Sequence, residues 1–200
     1  MTVTNREGFF DAAMRLLARE GRAGLRLAPL CRAVGVTSGS FYHHFGGWDG
    51  FVDALFTHWE TVDTHRLAEL AARETDPDDR LDVLKHLALT FPHEAEAAIR
   101  AWAHGDERVA VVQARVDEHR HRVVAEALVA AEVEPERADR LADLALAVLI
   151  GRQQRLGPTD VGEMLALFDE LGALGPLSST RATPAAPTAG RAADPRSSGC

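Results

Sequence analysis

Ser38, Ser40, Tyr42, His43 and His44 stand close together in the stretch TSGSFYHHF, which Thr37 opens. On a helix, donors of this kind suit contact with a nucleic acid. Tyr42 and His43 can donate to phosphate oxygens, and Ser38, Ser40 and His43 are short enough to reach base edges in a major groove. Small residues at the start of such a helix let its backbone N–H groups approach a phosphate. Catalytic chemistry finds less support. The only serines in a Gly-x-Ser-like setting lie in this same stretch, with no acid and base ordered around them. Asp117 and His121 have the i, i+4 spacing of metal ligands, but His119 cannot share their face, and DEHRHR reads as a solvated, ion-paired surface. Neither a phosphate-binding loop nor a dinucleotide fingerprint occurs. The sequence predicts no enzyme, no metal and no cofactor.

The elements that must hold those donors are legible around them. Leu27, Leu30, Cys31 and Val34 fall at i, i+3, i+4, i+7, the stripe of a helix with one buried face. Pro29 sits in its first turn, where a missing N–H costs nothing. Gly35 is placed to end the helix in the left-handed conformation. Val36 plugs the corner, Thr37 or Ser38 can cap the next helix, and Phe41 and Phe45 give that helix a buried side. A short helix, a glycine turn and a second helix with a polar outer face compose a helix-turn-helix.

Residues 9 to 45 resemble the DNA-binding domain of the tetracycline-repressor (TetR) family of transcriptional regulators. The resemblance runs through Phe9, Ala12, Ala13, Leu16, Leu17, Gly21, Gly24, Leu30, Ala33, Val34, Gly35, Val36, Gly39, Phe41, Tyr42, His44 and Phe45, and GVTSGSFYHHF is its most specific part. It implies that Ser38, Gly39, Ser40, Tyr42 and His43 take the family's operator-contacting positions, with Thr37 opening the recognition helix and His44 beside them. One departure stands out. The family often has a lysine just after the phenylalanine that ends this helix, whereas here Gly46, Gly47, Trp48, Asp49 and Gly50 follow with no cation. The N–H groups opening the next helix would then meet the phosphate, or affinity would be lower.

A net charge of −8 looks wrong for a DNA binder until it is divided. Six arginines against Glu7, Asp11 and Glu20 give residues 1–45 a charge of +3, which leaves −11 on the remainder. A basic head on an acidic body lets one surface approach phosphates while the other is repelled. An apolar content of 46% with 26% charged residues is ordinary for a soluble globular chain. With no long apolar run, no secretion signal and only Cys31 and Cys200, the chain is expected to be cytoplasmic and free of disulfides.

Beyond the head the pattern stays helical, and the prediction is an all-α protein of about nine helices. The first, from about Arg6 to Glu20, braces the helix-turn-helix. A long one from Trp48 to about Arg73 buries Phe51, Leu55, Phe56, Trp59, Val62 and Leu67. Helices follow over about Asp79–Phe91, from Pro92 to before Gly105, and over Glu107–Glu132, then from Pro135 to Arg155 and from Thr159 or Asp160 to Leu171. The expected organisation is a helix-turn-helix domain over 1–47, a helical ligand-binding and dimerisation domain over 48–174, and a disordered Pro-, Ala- and Ser-rich tail over 175–200.

The last two helices carry Leu141, Ala145, Val148, Leu149, Leu165 and Phe168. From periodicity alone these could pack on their own chain or on a symmetry mate as a four-helix bundle. The resemblance implies the second, since the family's last two long helices dimerise. A twofold dimer would present two recognition helices about one helical turn apart and select a palindromic double-stranded operator. The resemblance also implies a pocket in the body for a small-molecule effector, with Trp59, His86, Phe91, Trp102 and Val116 as candidate lining. The function expected is a dimeric DNA-binding regulator, a repressor released by its effector. The alternative is a helical small-molecule-binding protein with weakened or lost DNA binding.

Overall fold

A computed structural model describes residues 6–155 and 159–174, with the backbone alone for 63–68 and 174. Every regular element among the described residues is a helix. In order they are α1 (Arg6–Gly24), α2 (Leu27–Val34), α3 (Ser38–Phe45), α4 (Trp48–Arg73), α5 (Pro77–Ala88), α6 (His93–Ala103), α7 (Glu107–Ala130), α8 (Pro135–Gln153) and α9 (Val161–Leu174). None is long and apolar enough to cross a membrane.

Local chemistry sets most of the boundaries. Asp76, Asp106 and Glu134 accept hydrogen bonds from the first free N–H groups of α5, α7 and α8. Asp160 accepts from the Glu163 N–H at 3.0 Å to open α9. Pro77 and Pro135 occupy first-turn positions that need no donor. Helices α1 and α5 depart from the sequence reading, and α9 runs on from the expected Leu171 to Leu174. Helix α1 does not stop at Gly21: this residue sits at φ 64°, kinks the chain and lets a further turn run to Gly24. Helix α5 begins at Pro77, because Asp76 caps it, and ends at Ala88, short of Phe91.

The main core runs without a break across the expected domain boundary at residue 47. Phe9, Phe41 and Phe51 are fully buried, and the same cluster continues through Leu55, Phe56 and Trp59 of α4 to Ile99, Trp102, Val109 and Val116. Helix α1 packs along α6, so head and body share one apolar interior. One cation–π contact crosses this join, and ion pairs brace the elements beside it. The Arg22 guanidinium lies 4.2 Å over the Trp102 ring, and Arg22 Nη1 donates to the Leu25 carbonyl at 3.1 Å. Arg115 of α7 clamps Glu60 of α4 with two bonds of 2.6 Å. Val62, expected inside, is 47% exposed. The Leu67 side chain, residues 175–200 and Cys200 lie outside the described residues.

Candidate nucleic-acid interface and body cavity

The recognition helix is held by an aromatic cluster on its buried side. Phe45 meets Phe9 at 5.2 Å, Phe41 at 5.2 Å and Phe51 at 5.1 Å between ring centroids, and Phe41 lies 5.4 Å from Phe51. Edge-on and tilted ring pairs of this kind add to the burial of apolar area. At the start of the helix, Thr37 Oγ1 accepts from the Ser40 N–H at 3.4 Å. Gly35 and Gly46 bracket the unit at φ 78° and 71°, the left-handed backbone that glycine adopts without strain. Gly50 supplies a close approach instead: a Cβ there would stand 2.3 Å from the Phe45 carbonyl oxygen, so α4 can abut the end of α3 only because the residue is glycine. Burial pushes the Cys31 thiol pKa up, which keeps it neutral on the inner face of α2.

The donors named from the sequence divide by exposure. Thr37, Ser38, Gly39, Tyr42 and His43 are exposed, with Tyr42 at 52%. Ser40 is half-buried and its N–H is spent on the Thr37 cap. His44 is half-buried too, with its ring edge-on to Phe9 at 5.6 Å, so it braces α3 against α1. No lysine or arginine lies between Phe45 and Arg66. Exposed Asp49 stands in the first turn of α4 and pairs with Arg108 at 3.3 Å.

A cavity of about 350 Å³ opens in the body between α5, α7, α8 and α9. Its walls are mostly aliphatic, from residues such as Leu84, Leu128, Leu141, Leu149 and Phe168. Of the five lining residues proposed from sequence, Phe91 alone borders it. Trp59, Trp102 and Val116 are buried in the head-to-body core, and His86 is exposed, with Nδ1 2.8 Å from the Asp82 carbonyl oxygen. An aromatic stripe at helical spacing cannot reveal from sequence which of two cores it enters.

Both cationic side chains on the cavity wall, Lys85 and Arg120, have acidic partners. Lys85 binds Asp82 and Asp169, each at 2.8 Å; these carboxylates hold its pKa above the ordinary lysine value, and the Lys85 bond lowers that of Asp82. Arg120 donates to both oxygens of Glu96, at 3.0 and 2.6 Å, and stacks 4.2 Å over Phe91. Gln153 donates to Glu96 Oε2 at 2.7 Å, and its Nε2 lies 3.2 Å from His93 Nδ1. His93, Glu96, Arg120 and Gln153 are all buried, so this is a polar network inside an apolar body. Sequence reading missed it, because a lone charge every few residues along an amphipathic helix looks like surface. The Asp117–His121 pairing considered from sequence does not form a site: Arg100 holds Asp117 at 2.8 and 2.9 Å and Gln113 adds a third bond at 3.1 Å.

Among the residues expected at a dimer interface, Leu141, Leu149 and Phe168 are buried within the chain itself and border the cavity. Ala145, Val148 and Leu165 are half-buried. The apolar side chains that α8 and α9 turn outward are Leu144, Val161 and Leu167, at 48%, 45% and 39% exposure. A period-3.6 stripe marks an apolar helix face, but a helix with two apolar faces leaves open which of them the chain keeps for itself.

Comparison with known proteins agrees with this geometry. Residues 9–55 match the family model described as bacterial regulatory proteins, tetR family. Over 88 residues, 44% of the chain, the sequence is 31% identical to the nucleoid occlusion factor SlmA of Marinobacter nauticus; the match spans 45% of that relative's length. Among solved structures, a TetR transcription regulator from Haloarcula marismortui superposes with a TM-score of 0.71 at 18% identity, covering 85% of this chain and 97% of that one. The reduced form of NemR from Escherichia coli gives 0.69 at 20% identity, covering 84% and 95%.

Proposed function

We propose that the chain, whose residues 9–55 match the family model of tetR bacterial regulatory proteins, is a cytoplasmic, dimeric, sequence-specific DNA-binding regulator, a repressor released by a small molecule. The observation that carries this reading is the pairing of a rigid back with a polar front on α3. The aromatic cluster fixes the helix, and Ser38, Tyr42 and His43 stay exposed on its outer side. Two such helices on a twofold axis would read a palindrome, with phosphate contacts from Tyr42 and the helix N-terminus setting the register. Leu144, Val161 and Leu167, joined by Val148 and Leu165, supply the apolar face for a four-helix contact between copies. The aliphatic cavity, with Lys85 and Arg120 held by acidic partners, fits a predominantly apolar effector.

Selection of bound sequences from a random duplex pool, at two salt concentrations, tests the proposal. The expected result is an enriched palindrome whose affinity falls steeply with salt. Tyr42→Ala should weaken that binding at least about tenfold and leave the oligomeric state unchanged. Equal binding by Tyr42→Ala and wild type would remove α3 as the reading element. A second reading, a small-molecule-binding helical protein with weakened DNA affinity, is favoured by one feature: Asp49 and no cation stand where α3 hands over to α4. Absence of any enriched sequence at low salt would support it.

A further inference from the structure

His121 on α7 and Asp139 and Asp143 on α8 bring three ligand atoms together at the edge of the body cavity, away from α3. His121 Nε2 lies 3.5 Å from Asp139 Oδ1 and 3.3 Å from Asp143 Oδ1, and all three ligand atoms lie within 4.8 Å of one another. A four-coordinate zinc ion with bonds of about 2.0–2.1 Å sets neighbouring ligand atoms roughly 3.3–3.4 Å apart. The imidazole therefore already stands at that separation from both carboxylates. We propose that these three side chains bind one divalent transition-metal ion of the zinc type, with solvent water completing its coordination.

Charge gives a second reason. Asp139 and Asp143 are one helical turn apart, a spacing at which like charges repel. Among the described residues the ion pairs of both carboxylates go to His121. Among the described residues neither carboxylate is paired with a lysine or an arginine, and a bound dication cancels the two negative charges. The donor set also selects the ion. One imidazole nitrogen with two carboxylate oxygens suits zinc and its neighbours in the first transition row, whereas calcium and magnesium take all-oxygen shells.

The supporting structure is unequal in a useful way. The His121 side chain is 18% exposed and its residue also borders the body cavity, so packing fixes the ring. The two aspartates are 66% and 71% exposed and can adjust to the ion. Without metal, Nε2 can donate its proton to the Asp139 carbonyl oxygen, 3.2 Å away. The ion replaces that proton and links α7 to α8. Since this uses no residue of α3, it stands whether or not the chain reads DNA.

The test uses the full chain without an affinity tag, stripped with a chelator and titrated calorimetrically with zinc alone. Cobalt follows as a visible-absorption probe of coordination. One ion per chain is expected, with cobalt bands of a low-coordinate N/O site. His121→Ala and Asp143→Asn should each weaken zinc binding at least about tenfold. His86→Ala, an exposed histidine elsewhere on the body, should leave it unchanged. Asp143→Asn keeps size and shape on an exposed helix face, so its loss of binding, with an unchanged circular dichroism spectrum, reports ligation rather than folding. Equal zinc affinity in wild type and His121→Ala, or no uptake by wild type at millimolar zinc, overturns the assignment.

Discussion

The Glu96–Arg120 pair permits a double-mutant cycle whose outcome can be reasoned from geometry. Glu96 is 2% exposed and Arg120 5%, and they share two hydrogen bonds of 3.0 and 2.6 Å. Glu96→Met removes the carboxylate that faces the buried Arg120 guanidinium, which costs about 3–5 kcal/mol. Arg120→Met strands the carboxylate at a similar cost of about 3–5 kcal/mol. Replacing both by methionine removes both charges at once, and such exchanges are often neutral. Here Gln153 also loses the oxygen it donates to at 2.7 Å, which adds about 1–3 kcal/mol. The double variant should therefore be destabilised by about 1–3 kcal/mol, far less than the sum of the single changes. Urea unfolding followed by circular dichroism measures this, at one fixed protein concentration because a dimer's stability depends on it. Single variants costing under about 1 kcal/mol, or a double variant equal to their sum, would refute the claim that burial makes each charge depend on the other.

Three further outcomes follow from the described contacts. Gly50→Ala forces a Cβ to within 2.3 Å of the Phe45 carbonyl; a strain of about 1–3 kcal/mol, offset by up to about 1 kcal/mol of helix preference, should lower the melting temperature and weaken DNA binding with the dimer intact, and no change in either measurement would contradict the packing described. The Arg115 hydrogen bond lowers the Glu60 pKa, so the pair's contribution is present above the ordinary glutamate value and is lost as pH falls through the lowered one. Since Glu60 is 24% exposed and Arg115 52%, about 0–1 kcal/mol is at stake, and Glu60→Gln should lower the melting temperature at neutral pH but not in strong acid. Leu144→Glu puts a charge in the outward face of α8 and should shift the proposed dimer toward monomer in sedimentation, whereas Leu149→Glu, buried at 4%, should unfold the body instead.

How much of this was legible in the sequence depends on the range of the signals. The helix-turn-helix is written in local terms: a four-residue apolar stripe, Gly35 at a left-handed turn, Thr37 at a cap, and Phe41 and Phe45 four apart. Each acts within a turn or two of helix, and the structure has them where expected. The helix order was legible for the same reason, since caps such as Asp76 and Asp106 are local. The cavity was not. Which apolar face meets which depends on how α5, α7, α8 and α9 are laid against each other, and Trp59 and Leu149 look alike in a periodic pattern although they enter different clusters. The buried polar network failed for a related reason. Glu96 and Arg120 are separated by 24 residues, and nothing in either neighbourhood indicates that the other lies opposite.

The position of that network bears on how an occupied cavity could act on the head. Arg120 borders the cavity, and its guanidinium is fixed from two sides by Phe91 and Glu96. Glu96 stands on α6, the helix that packs along α1 and carries Trp102 under the Arg22 guanidinium of the head. A molecule in the cavity that moves Phe91 or Arg120 therefore disturbs a buried charge pair, and the helix bearing the other half of that pair packs on α1, which braces the helix-turn-helix. Filling the cavity is not sufficient. A ligand that leaves the Arg120–Glu96 geometry untouched favours no other arrangement of α6 and shifts no equilibrium, however tightly it binds. Under the proposed function, release from DNA requires an occupant whose affinity differs between the arrangement of α6 seen here and another, so an effector should be sought among molecules large enough to press on Phe91, not merely apolar enough to enter.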